Sequence, residues 1–278
     1  MFRGHDTVVY KEIYKNVWVI DEHAGLIFLV KGRDKCAVID TGYGYCDLPA
    51  LVKHIVGDMP LVVINTHAHV DHINGNNMFD EAYIGYLDEP HAAAGFCYVG
   101  EAEKEKMMAE NPDFYQKLGL TKENWNPGGC KKLNILYAGD IINLGGLELE
   151  VFEFTGHTIG SIVLLERQSG ILFTGDTVFT KEIWLHIKDA TKLSVYLRSL
   201  NKLIRDLDGA AKTLAVAHIK TNVPFLVPSD LLDSLSRGVS GILNGTVSGE
   251  FVDTGEWGTG LIIEFPGGGG VLYDPERL

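Results

Sequence analysis

A mixed α/β chain is predicted by three features of the sequence. Short apolar runs alternate with turn residues, helical periodicities separate groups of these runs, and histidines and aspartates collect where the runs end. The first third reads as strands: "NVWVID", "GLIFLVKG" and "KCAVIDTG" are β-branched and apolar. The segment "LPALVKHIVG" then reads as a helix, and "PLVVINT" as a buried strand leading into the polar stretch "NTHAHVDHINGN". Residues 78–137 change character and are expected to form a helical insertion over or beside that stretch. Within it, "DEPHAAA" starts a helix with Asp88 as N-cap and Pro90 in the first turn, and "GEAEKEKMMAE" is a charged, solvated helix.

Strands return with "LELEVFEF", where Leu147, Leu149 and Val151 alternate with Glu148 and Glu150. "SIVLLERQSGILFTGD" reads as a hairpin. Leu193, Leu197, Leu200, Ile204 and Leu207 recur at helical spacing, and "TLAVAH" is a buried strand ending on a histidine. The tail, 229–278, reads as a helix capped by Ser229, with Leu231, Leu235, Val239 and Ile242 on one face. A hairpin follows, turning at "PGGGG"; no Gly-Lys-Ser/Thr follows that glycine run, so it is not a phosphate loop. No linker or repeat divides the chain, and 1–278 is expected to be a single domain.

Composition narrows the function. The 278 residues, 46% of them hydrophobic, can build one large core or two modest ones. A formal net charge of −13 repels phosphate backbones, which argues against a nucleic-acid partner. No run is apolar and long enough to span a bilayer, and "MFRGHDTVVYKEIYKN" has no export-signal pattern, so the expectation is a cytoplasmic protein with no membrane partner. The four cysteines, Cys36, Cys46, Cys97 and Cys130, are scattered and read as reduced structural thiols.

The chemistry concentrates between 67 and 72, where three histidines and one aspartate occupy six positions. In an extended segment His67 and His69 point the same way, and Asp71 and His72 face a second point after the chain turns. Imidazole and carboxylate together suit borderline divalent metals, zinc first. Further polar residues arrive at later strand ends: His157 in "FTGHTIGS", Asp176 in "ILFTGDTVF" and His218 in "TLAVAHIK".

His-x-His-x-Asp-His, then Gly-His-Thr-x-Gly-Ser, then Thr-Gly-Asp and a strand-end histidine together resemble the metallo-β-lactamase superfamily, with a glyoxalase II-like ligand set. The resemblance implies a four-layer αββα sandwich holding two divalent metal ions: zinc, with iron or manganese as alternatives. Carried over, His67, His69 and His157 hold the first ion, Asp71, His72 and His218 the second, and Asp176 bridges them. A residue other than the family's usual glycine, Ala217, precedes His218, and His186 is the rival for that position.

The implied reaction is hydrolysis of a small ester, thioester or lactone by a metal-bridging hydroxide, with Asp71 as the catalytic base. Asp176 and the lack of an export signal set the chain apart from zinc β-lactamases acting on amides. The glyoxalase II tail pattern does not follow His218, and Phe179 stands where the related lactonases carry tyrosine. An iron-dependent oxidoreductase of the persulfide dioxygenase type is the alternative from another class. Tyr43, Tyr45, Phe179, Trp184, His186 and Phe225 are expected near the substrate, most of them on loops. The partner is a small-molecule substrate; assembly as a homo-oligomer is left open.

Overall fold

A computed structural model describes residues 7–23, 25–95, 98–219 and 224–278. Cys97 and the first six residues, about which the sequence raised expectations, lie outside the described residues. The chain forms two compact units, one of Met1–Leu136 with Asn143–Leu147, the other of Tyr137–Ile142 with Glu148–Leu278.

The first unit is built on a seven-stranded sheet whose spatial order follows the sequence. It contains β1 (Val9–Tyr14), β2 (Val17–Asp21), β3 (Leu26–Lys31), β4 (Cys36–Ile39), helix α1 (Leu48–Val56), β5 (Leu61–Asn65) and the short α2 (Val70–Ile73). After these come β6 (Glu81–Gly85), α3 (Glu89–Ala93), α4 (Glu101–Glu110), α5 (Pro112–Lys117) and β7 (Lys132–Leu136). Strands β1 to β4 pair antiparallel and β4 to β7 parallel. The interior strand β3 is apolar and buried along almost its whole length, whereas the edge strand β1 is largely exposed. α1 starts where the Asp47 carboxylate accepts from Ala50 N at 3.2 Å, and it stops at Gly57, whose φ of 82° is costly for other residues. Its Leu48, Leu51, Val52 and Val56 pack with Ile20, Leu29 and Val38 of the sheet.

The helical insertion expected over 78–137 is present but shorter. Both ends of that section are sheet strands, β6 and β7, and the helices are confined to 89–117. The apolar pairs in "EAYIG" and "KLNIL" are too short to show a period in the sequence and become strands only beside β5. Asp88 does occupy the N-cap of α3 but makes no capping bond; its carboxylate accepts from Ala68 N at 2.9 Å. α4 is mostly exposed as expected, except for Lys104, which is buried and donates to Glu101 and to the carbonyls of Lys122 and Trp125. Tyr115, Leu118, Leu120 and Trp125 form an aromatic-rich core with Tyr45, against which Tyr43 and Val70 pack. The helical section therefore lies beside the histidine loop.

The second unit holds two sheets. Its strands are β8 (Ile141–Asn143), β9 (Glu148–Glu153), β10 (Ile162–Glu166), β11 (Ile171–Gly175), β12 (Glu182–Leu185), β13 (Thr213–Val216), β14 (Leu226–Pro228), β15 (Glu250–Asp253), β16 (Thr259–Glu264) and β17 (Gly270–Tyr273); its helices are α6 (Leu193–Leu207) and α7 (Leu231–Leu243). The six-stranded sheet runs β14-β13-β11-β10-β9-β8 and the four-stranded sheet β12-β17-β16-β15. One core unites them, with Leu193, Leu200 and Leu207 of α6 and Leu231, Leu235 and Val239 of α7 against Leu172, Leu214 and Val271. Each such side chain contributes roughly 1.5–3 kcal/mol by leaving water.

The expected cap of α7 shifts by one residue: Asp230 takes the N-cap without a side-chain bond, and Ser229 accepts from Leu232 N only through its carbonyl. The "PGGGG" run is a hairpin turn between β16 and β17, with Gly267, Gly268 and Gly269 all at positive φ. Trp184, expected in a loop, lies on β12. A four-residue strand that gains its order by pairing with β17, nearly ninety residues later, leaves no local signature.

Candidate metal centre

Parallel pairing assembles the histidine cluster of the first unit. β4 and β5 run side by side, so Asp40, just past one, meets Thr66, just past the other. The buried Asp40 carboxylate accepts from Thr66 N at 2.7 Å and from Thr66 Oγ1, and lies 2.8 Å from His72 Nδ1. Asp40 adopts φ 64°, a left-handed conformation that aspartate tolerates better than most residues. His67 Nδ1 faces Thr66 Oγ1 at 3.1 Å, and its Nε2 faces His69 Nδ1 at 3.1 Å. Asp71 Oδ2 stands 3.6 Å from His72 Nε2, with the Asp71 side chain 22% exposed. His67, His69, Asp71 and His72 thus come together in the first unit.

In the second unit the parallel neighbours β11 and β13 end on Asp176 and, two residues on, His218. His218 Nε2 lies 3.3 Å from Asp176 Oδ1. β10 is antiparallel to β11, so the turn that enters it opens at the same edge and carries His157, whose Nε2 lies 3.6 Å from Asp176 Oδ2. That turn is shaped by a 2.6 Å contact between Thr158 Oγ1 and Ser161 Oγ, and Gly156 is needed because a Cβ there would meet Tyr196 at 2.7 Å. His157 Nδ1 points to the Trp184 carbonyl oxygen at 2.8 Å.

Three rings share one design. Nδ1 of His67, His72 and His157 is engaged by Thr66, Asp40 and the Trp184 carbonyl respectively, which sets the tautomer and turns Nε2 toward the neighbouring ligand atoms. Imidazole nitrogens converging with carboxylates in buried surroundings are a donor set that suits a divalent ion. Among the described residues, the side chains that could serve as metal ligands are His67, His69, Asp71 and His72 in the first unit and His157, Asp176 and His218 in the second. His186, Cys36, Cys46 and Cys130 are not among them.

The sequence reading missed Asp40 and Glu22, and gave Asp88 only a capping role. An acidic residue closing an apolar strand, as in "AVIDTG", was the available signal for Asp40. Glu22 carried none: its fully buried carboxylate accepts backbone N–H groups from Tyr43, Gly44, Tyr45 and Cys46, four residues distant in sequence. Burial pushes its pKa up to about 7 despite those bonds. Gly42, at φ 64°, has no room for a Cβ against that carboxylate.

Of the proposed substrate contacts, Tyr43 stacks on Tyr45 with rings 5.2 Å apart, and its hydroxyl is raised by burial first and the Asp71 charge second. Tyr45 itself is buried in the aromatic core. Phe179 is buried and packs edge-on against His218 at 5.5 Å, and Phe225 is half-buried beside β14. His186 is buried, with Nε2 3.2 Å from Thr254 Oγ1, and burial lowers its pKa.

The family model described as the metallo-beta-lactamase superfamily matches residues 20–218. The chain belongs to the metallo-beta-lactamase superfamily. It is a hydrolase of that superfamily, with the α/β fold expected of it. The human acyl-coenzyme A thioesterase MBLAC2 is 28% identical over 212 residues, 70% of this chain and 73% of that protein. A hydroxyacylglutathione hydrolase of Chelativorans sp. (strain BNC1) is 24% identical over 57% of this chain and 46% of its own length. The metallo-beta-lactamase from Pontibacter korlensis shares the fold at a TM-score of 0.58 and 20% identity, covering 84% of this chain and 99% of that one. The sec-alkylsulfatase Pisa1 from Pseudomonas sp. does so at a TM-score of 0.62 and 13% identity, covering 86% and 42%. No helix among the described residues is long and apolar enough to cross a membrane.

Proposed function

We propose that this chain hydrolyses a small ester, thioester or lactone, working as one catalytic domain with two divalent ions, zinc first among the candidates. His67, His69 and His157 would hold one ion and Asp71, His72 and His218 the other, with Asp176 shared. The family match runs unbroken across both units, which supports a single domain. The observation that carries the metal assignment is the outer contact on Nδ1 of three histidines, which reserves Nε2 for a ligand role. The thioester part of the reading is supported by the thioesterase and hydroxyacylglutathione hydrolase relatives.

Divalent ions held by these residues would acidify a water molecule and polarise a carbonyl oxygen. Asp71, partly open to solvent, accepts the proton of the attacking water and returns it to the departing thiolate or alkoxide. Asp40 and Thr66 hold the His72 and His67 rings still while charge develops. Tyr43 remains a neutral hydroxyl, able to donate to substrate oxygen but not to act as a base.

The test is elemental analysis of the purified protein together with a panel of acyl esters, thioesters, lactones and phosphodiesters. Close to two ions per chain and turnover of the acyl compounds are expected. Full activity with one ion overturns the two-ion reading, and unchanged activity after complete chelation overturns metal dependence. Iron with oxygen uptake on a persulfide would move the chain to the oxidoreductase reading.

A further inference from the structure

The four-stranded sheet of the second unit lies mostly beyond residue 218, where the family match ends. Its strand β12 alternates: Ile183 and Leu185 enter the core, so Trp184 and His186 project from the opposite face. The tip of the β15–β16 hairpin folds over that face. Trp257 meets Trp184 with ring centroids 5.9 Å apart at 56°, and Thr254 Oγ1 lies 3.2 Å from His186 Nε2. Trp184 and His186 pack edge-on at 5.4 Å. Thr254 Oγ1 also donates to the Gly258 carbonyl, closing the tip.

This aromatic group is tied directly to a proposed ligand, because the Trp184 carbonyl receives His157 Nδ1 at 2.8 Å. The Trp184 backbone therefore touches the imidazole whose other nitrogen, Nε2, would hold the ion. Trp257 is 57% exposed, a large apolar surface left open to solvent beside Trp184. The hairpin 250–264 carries four carboxylates and no Lys or Arg. The Asp274 and Arg277 charges both act on His186, and the Arg277 guanidinium is engaged by the carbonyls of Ile187 and Ala190. A phosphate or carboxylate would be repelled here, whereas a hydrocarbon chain meets two indole faces.

We propose that Trp184 and Trp257 form the wall that receives the uncharged, apolar acyl group of the substrate, and that the Thr254–His186 contact latches the hairpin carrying Trp257 in place. The inference rests on the acyl-hydrolase reading and names the part of the substrate that this face selects. Phosphate-bearing portions of a larger thioester would lie elsewhere.

The experiment uses S-acyl-N-acetylcysteamine thioesters, from acetyl to decanoyl, with the metal-loaded full chain. In Trp257→Ala, kcat/KM for the decanoyl thioester should fall on the order of 10- to 50-fold more than for the acetyl one, through KM, as the loss of two or three methylene contacts requires. Trp257→Phe should restore most of the preference for long chains, and Thr254→Val should weaken it in the same direction. Binding is read separately from turnover by indole fluorescence with the non-hydrolysable thioether S-decyl-N-acetylcysteamine, expected to quench the wild type and much less Trp257→Ala. Equal losses for all chain lengths, or no difference in quenching between the two proteins, overturn the proposal. Quenching without hydrolysis of any thioester would uphold the wall while removing the acyl-hydrolase reading.

Discussion

His72 Nδ1 stands 2.8 Å from the Asp40 carboxylate, with both side chains buried and 32 residues between them in sequence. Asp40 is also the acceptor for Thr66, so one carboxylate orients the strand end, the ring and the start of the histidine loop. Asp40→Asn keeps the left-handed backbone accessible but removes the charge. Metal affinity should fall roughly 10- to 100-fold. Competition with a coloured chelator measures it, and an unchanged affinity would reduce Asp40 to a brace for the turn.

Asp71→Asn separates ligand from base. The amide retains the shape of a side chain that lies 3.6 Å from His72, but cannot take a proton. With metal content checked in the same sample, turnover should drop roughly 100-fold or more. Near-normal turnover in a fully loaded variant would leave Asp71 as a ligand only.

His218 and His186 are distinguished by what each touches. His218 Nε2 faces Asp176 at 3.3 Å, while His186 Nε2 faces Thr254. His218→Ala should lose about one of two bound ions; His186→Ala should keep both and alter kinetics through the hairpin. Metal titration of the two variants decides, and the reverse pattern would exchange their roles.

Glu22 makes stability depend on pH. Its carboxyl is raised from 4.5 to about 7 in the folded protein. Between those values the native state holds a proton that the unfolded chain has released. This contribution is therefore complete below pH 4.5 and lost as pH rises through 7. The lost stability is on the order of 3 kcal/mol. Glu22→Gln, less stable overall because two backbone donors would face an amide, should lack this slope. Urea midpoints of both metal-loaded proteins across pH 4.5–8 provide the comparison, and parallel curves would contradict the shift.

Seven candidate ligands were legible in sequence because they sit in short local motifs at the ends of apolar runs, and the resemblance of those motifs to the metallo-β-lactamase superfamily joined them into one set. The long elements were legible for a similar reason. α1, α6 and α7, and strands such as β3 and β9, bury one face or both, and burial imposes a period on the residues. Tertiary structure decided what depends on a distant partner. β6 and β7 became strands by pairing, not by propensity, and Trp184 left its expected loop for β12 because β17 offered it an edge. Asp88 exchanged a helix cap for the Ala68 amide, twenty residues upstream, and Glu22 found its four donors in a loop it does not adjoin. A hydrogen bond is satisfied by whichever donor the fold brings within about 3 Å, and no spacing along the chain encodes that meeting.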